Sequence, residues 1–181
     1  MHLNEQELIT ALRNDDEKTV AFNRVVKLYQ QQLYWSIRKM VLCHDDTNDV
    51  LQNTFIKAWN SIDNFRGDSK LLTWLYRIAI NETLGFLRKQ RSENTISLDD
   101  EENFLAQKME ADEFFDGDEL QLKLQKAVLS LPEKQRIVFN MKYFEEMKYE
   151  EMEAVLGTSV GALKASYHLA VKKIEAFINK E

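Results

Sequence analysis

The sequence predicts an all-α protein of two small helical domains joined by an acidic linker, and three observations carry that expectation. One proline and five glycines among 181 residues leave too little turn chemistry for a multi-stranded sheet. Apolar residues return every three or four positions through most of the chain, the spacing of one buried helical face. The composition changes abruptly between Ser92 and Glu119, where acidic residues crowd together against a single Lys108. The expected division is residues 1–92, a linker over 93–118 and a second unit over 119–181.

In the first unit, Asn4–Arg13 reads as a short helix with Leu8 and Leu12 four apart, and Asn14-Asp15-Asp16 ends it and caps the next. A long helix to about Val41 follows, with Phe22, Val25, Val26, Tyr29, Leu33, Ile37 and Met40 on one stripe. His44-Asp45-Asp46 lacks a fourth ligand at useful spacing, so capping of the next helix accounts for both aspartates better than a metal does. That helix, Thr47 to Ile62, turns Leu51, Phe55, Ala58 and Ile62 inward. Asp49, Gln52, Asn53 and Ile56 lie on another side, a polar strip with an exposed apolar residue, as a dock for a partner helix requires.

Phe65–Arg91 begins with turn chemistry, Phe65-Arg66-Gly67-Asp68-Ser69, in which Asp68 and Ser69 are candidate caps. It continues as a helix carrying Leu71, Leu75, Ile78, Thr83 and Phe86. Arg66, Lys70, Arg77, Arg88, Lys89 and Arg91 interleave with Trp74 and Tyr76, opposed only by Asp68 and Glu82. Cations for phosphate and flat rings for unstacked bases suit single-stranded nucleic acid. On this stretch alone, an amphipathic core helix with a solvated basic face is an equal alternative.

The linker supplies much of the net charge of −6, and the pieces that flank it are neutral to basic. Its scattered apolar anchors are Phe104, Leu105, Met109, Phe114 and Phe115. Helical periodicity resumes with Leu122, Leu124, Ala127, Val128 and Leu131, and Pro132 opens a further helix buried by Ile137, Val138, Met141 and Phe144. A short helix to Leu156, a break at Gly157-Thr158-Ser159 and a longer helix from Val160 to Phe177 have the arrangement of a helix-turn-helix. Met152, Leu156, Val160, Leu163, Tyr167, Ala170 and Ile174 would pack it, with Ser159 as the cap of its second helix.

Cys43 is the single cysteine, read as a small half-buried hydrophobe in a reducing cytoplasm. No apolar run approaches a membrane span, and the start MHLNEQELIT lacks the regions of a signal peptide. No phosphate loop, paired metal ligands or nucleophile motif is visible, so neither an enzyme nor a cofactor or metal is expected.

Three strings, in order, resemble the bacterial sigma factors of the extracytoplasmic-function type. DDTNDVLQNTFIKAW (Asp45–Trp59) is similar to the family's helix that binds the beta-prime clamp coiled coil of RNA polymerase. FRGDSKLLTWLYRIAINETLGFLRKQ resembles its promoter-melting segment, and Leu131–Ile174 resembles the region-four helix-turn-helix that reads the upstream promoter element. The resemblance implies docking on core polymerase through Asp49, Gln52, Asn53, Ile56 and Lys57. It implies a pocket for a flipped non-template base made by Phe65, Arg66, Gly67, Asp68, Ser69, Lys70 and Asn81, with Trp74, Arg77 and Arg88 alongside. It places Ser159, Lys164, Ala165, Ser166, His168, Leu169 and Lys172 at the upstream DNA, and implies contacts with the polymerase beta flap and a membrane-linked anti-sigma factor.

The chain departs from the family where Ser166, Leu169 and Val171 replace common arginines, which predicts weak upstream readout through T methyl groups and groove shape. Asn53 stands for a common acidic residue. Lys148 stands for a capping Ser or Thr, a loss of about 0.5–2 kcal/mol unless another group caps that helix. The rival reading, a helix-turn-helix regulator acting on duplex operator DNA without polymerase, leaves the Asp45–Trp59 face and the Trp74 stretch without a role.

Overall fold

The computed structural model describes residues 4–94 and 119–179, and the linker anchors from Phe104 to Phe115 lie outside the described residues. Among the described residues every regular element is helical. The front unit comprises α1 (Glu5–Leu12), α2 (Asp15–Val41), α3 (His44–Ser61), a single 3-10 turn (Ile62–Asn64) and α4 (Leu71–Asn94). The rear unit comprises α5 (Glu119–Leu129), α6 (Glu133–Phe139), a wider π turn (Asn140–Phe144), α7 (Tyr149–Leu156) and α8 (Val160–Ile178).

Local chemistry explains most of the boundaries. The Asn4 side chain accepts the Gln6 N–H while Glu7 reaches back to the Asn4 N–H, closing a reciprocal cap on α1. The Asn14 side chain caps α2 through the N–H of Asp16. At its other end α2 stops on Leu42, a left-handed residue (φ 69°) where glycine would be usual. α3 begins earlier than expected, at His44, so Asp45 and Asp46 do not cap it. They occupy its first turn, where negative charge faces the positive end of the helix dipole. His44 is held by the Tyr34 hydroxyl at Nδ1 (2.7 Å) and the Asn48 amide at Nε2 (3.0 Å). Both ring nitrogens are thus engaged within the fold.

The front core is the stripe the spacing predicts. Val25, Leu33, Ile37, Met40, Ala58, Leu71 and Leu75 are essentially inaccessible, with Leu8, Ile9 and Leu12 of α1 closing one side. The same apolar cluster continues into the rear unit through Ile137, Val138, Met141, Met147, Met152, Val155 and Leu163. The two units therefore share one interior, and a second cluster around Phe139, Ala170 and Ile174 belongs to the rear alone.

Polar contacts line this seam. The Glu145 carboxylate accepts from Lys39 Nζ (3.0 Å) and from the Tyr76 hydroxyl (2.8 Å), and its side chain is 7% exposed. Burial, then the adjacent Glu145 charge, pushes the Tyr76 phenol far above its ordinary range, so it stays a donor. Arg91 reaches Glu133 (2.7 Å), and Lys70 reaches Glu151 (2.7 Å). The Glu151 carboxyl lies below its ordinary range, chiefly because it accepts from Lys70, and that bond in turn raises the lysine. A lowered carboxyl contributes stability above its unfolded pKa and loses it as pH falls through the folded one. The wild type should accordingly lose its advantage over Glu151→Gln on acidification below the usual glutamate range, the two melting curves converging there.

Candidate nucleic-acid interface

Three surfaces of the molecule bring sequence-predicted residues together. The first is the outer face of α3. Asp49, Gln52, Asn53, Ile56 and Lys57 are all exposed along it, Ile56 by 51%. Gln52 and Ile56 help line an open apolar groove of about 490 Å³ formed with Thr19, Phe22, Asn23, Val26, Phe55 and Trp59. Phe22 is its floor, set edge-on to Phe55 (6.4 Å) and Trp59 (5.1 Å). Lys57 is paired with Glu82 of α4. Trp59, Phe22 and Val26 were not singled out as docking residues by the sequence. The signal for Trp59 was its place one helical turn from Ile56.

The second surface is the loop between the 3-10 turn and α4. Arg66, Gly67, Asp68 and Lys70 are exposed and Ser69 is half-buried. Gly67 has φ +83°, which L side chains rarely adopt, and an added Cβ would meet nothing closer than 3.9 Å. Backbone strain alone should make Gly67→Ala about 1–2 kcal/mol less stable in thermal melting. Asn81, Arg77 and Arg88 are exposed on α4, and Trp74 is half-buried.

Two of the aromatic rings here are buried, and for Tyr76 that differs from expectation. Phe65 is 6% exposed and packs against Trp74 (centroids 5.3 Å), so its ring is the floor of the loop and not a free stacking platform. Tyr76 is 2% exposed beneath Glu145, which removes it from any nucleic-acid surface in this arrangement. The group that takes the first N–H of α4 is Glu5, whose carboxylate accepts from Leu71 at 2.5 Å, and not Asp68 or Ser69; the Ser69 hydroxyl donates to the Lys70 carbonyl.

The third surface is α8. Ser159 Oγ accepts the Ala162 N–H (3.4 Å) and starts the helix, after Gly157 has closed α7 in the left-handed region. Lys164, Ala165, His168, Leu169 and Lys172 are exposed and Ser166 is half-buried, while Leu163, Ala170 and Ile174 anchor the opposite side. Lys148 heads α7 without a side-chain cap, as expected, and Glu151 completes only the other half of the box by accepting the Lys148 backbone N–H (3.2 Å). Among the described residues no group of three or more His, Cys, Asp or Glu could hold a metal ion, and no helix is long and apolar enough to cross a membrane.

Residues 25–93 match the family model for sigma-70 region 2, and residues 121–174 match that for sigma-70 region 4. The chain is 32% identical over 182 residues to the ECF RNA polymerase sigma-E factor of Escherichia coli (strain K12), covering 96% of this chain and 93% of that protein. It is 29% identical to the sigma-E factor of Haemophilus influenzae, covering 96% and 94%. Among solved structures it is similar to CnrH in complex with the cytosolic domain of CnrY, with TM-score 0.70 and 24% identity over 98% of both chains. It is also similar to the sigma factor RpoE in complex with the anti-sigma factor NepR from Bartonella quintana, with TM-score 0.67 and 22% identity over 88% and 98%. With a helical front carrying an apolar groove and a basic loop, a helix-turn-helix behind it, and relatives matched along nearly their whole length, the chain belongs to the ECF family of RNA polymerase sigma factors.

Proposed function

We propose that this sigma factor docks on core RNA polymerase through the outer face of α3, and that it opens promoter DNA by capturing an unpaired non-template base in the loop before α4. The observation that carries the reading is the exposed groove beside Ile56, on the same small unit as the loop held open by Gly67. The clamp coiled coil would lay an apolar ridge into that groove, with Asp49, Gln52, Asn53 and Lys57 around it. Extruding a base costs a few kcal/mol, which favours a preformed receiving loop beside the cations Arg66 and Lys70, with Arg77 and Arg88 further along α4 to hold phosphates. In the rear unit α8 would enter the major groove, offering Lys164, His168 and Lys172 as donors and Ala165 and Leu169 as apolar contacts for thymine methyls. The beta flap would bind the same rear unit.

The three-part organisation over residues 1–92, 93–118 and 119–181 then has a physical use. The acidic linker repels free duplex and leaves DNA binding to the holoenzyme. The chemistry of RNA synthesis stays with the polymerase, in the cytoplasm, and this chain supplies choice of site and strand opening. The sigma factor RpoE of similar fold is in complex with the anti-sigma factor NepR, and the groove and loop surfaces of this chain suit a partner of that kind.

The test is titration of labelled full-length protein with core polymerase. Wild type is expected to bind, and Ile56→Glu to bind at least about tenfold more weakly, since a buried, unpaired carboxylate replaces an apolar anchor. Ile56 is exposed, so the melting temperature should be unchanged. Absence of binding to core polymerase, or tight binding to a short duplex without it, would overturn the reading.

A further inference from the structure

The segment ahead of the region 2 match, residues 4–18, holds the base-receiving loop at three points. Before the loop, Lys18 Nζ bonds both oxygens of Asp63 at 2.7 and 2.8 Å. At its start, Arg13 Nη2 donates to the carbonyls of Phe65 (3.4 Å) and Arg66 (3.3 Å), and lies 3.9 Å from where a Gly67 Cβ would stand. At its end, the Glu5 carboxylate accepts the N–H of Leu71, the first residue of α4. α1 is itself fixed to the core by Leu8, Ile9 and Leu12, each under 8% exposed, so the tethers run from a rigid base.

A loop of this length has many conformations, and a base is told from its neighbours only if the receiving groups are already in place. Among the described residues no other side chain from outside the loop bonds the carbonyls of Phe65 and Arg66. We infer that Glu5 and Arg13, with Lys18 in support, are positioning residues for promoter specificity: they set the shape of the loop, and through it which base is accepted, without touching DNA. This rests on the proposed role of the loop.

The experiment uses the full chain in holoenzyme with core polymerase. The probe is a duplex carrying an unpaired bubble whose non-template strand is randomised, and the bound fraction is sequenced. Wild type is expected to enrich one base at one position. Arg13→Ala and Glu5→Gln should flatten that enrichment by about tenfold, the scale of one lost specific contact, while affinity for core polymerase is unchanged. Arg13→Lys keeps one donor and should restore part of the preference. Asn81→Ala and Lys70→Ala serve as direct reporters of the loop. If they change base preference and the Arg13 and Glu5 variants do not, the positioning role is overturned while the role of the loop stands. If no variant, direct or tethering, alters preference, the role of the loop falls and the inference with it. Uniform weakening on all bases, or loss of core affinity in step with specificity in both tethering variants, would also overturn it, since each marks a phosphate contact or a general loss of fold.

Discussion

Glu145→Ala is expected to part the two units. The carboxylate sits in the seam with its side chain 7% exposed, accepting from Lys39 and Tyr76 at once. Its removal takes away the carboxylate that both the Lys39 ammonium and the Tyr76 hydroxyl donate to, and breaking such a pair costs more than the pair was worth. Because Lys39 keeps 19% of its side-chain exposure, the cost belongs at the lower end for buried pairs, about 3 kcal/mol. With that clamp gone the contact should open while each unit stays helical. Small-angle scattering of the full chain would show it. The radius of gyration of a compact chain of 181 residues is about 16 Å, and the variant should exceed it by several ångström with no change in circular dichroism. An unchanged scattering curve would mean that the apolar seam alone holds the units together. Glu145→Gln, which keeps an acceptor for Tyr76, should open it less.

The second large effect is expected at Phe22. Its ring lies under the groove between Phe55 and Trp59 and is 8% exposed. Phe22→Ala removes the floor and leaves a void that α2 and α3 can fill only by closing together, at a cost of about 3–5 kcal/mol. Thermal melting should fall accordingly, and affinity for core polymerase should fall with it although Phe22 is not itself exposed on the docking face. The pairing with Ile56→Glu is informative, because that substitution should lower affinity alone. A Phe22→Ala protein that melts early yet binds polymerase normally would show that the groove does not shape the dock.

The helices were legible because their signals are local. The α2 stripe from Phe22 to Met40, the Ser159 cap and the Gly157 stop could each be read within a few residues and stand as read. The exposure of the residues named on α3 and α8 was legible for the same reason, since it follows from the phase of each helix. What escaped depends on partners far along the chain. Asp68 and Ser69 had the chemistry to cap α4, but a carboxylate 66 residues away on α1 took the position. Tyr76 resembled a stacking ring because nothing near it announces Glu145, 69 residues on. The end of α2 at Val41 was read from the end of its apolar stripe, although Leu42 stands where a glycine usually marks such a stop.

The seam between the units is rich in methionine: Met141, Met147 and Met152 are all buried there beside Val155 and Leu163. Unbranched thioether chains re-pack against differently shaped neighbours at small cost, unlike the β-branched residues that dominate rigid interiors. Whatever separates the halves therefore uncovers an accommodating greasy strip, and the halves closing on each other compete with any visitor for the same seat.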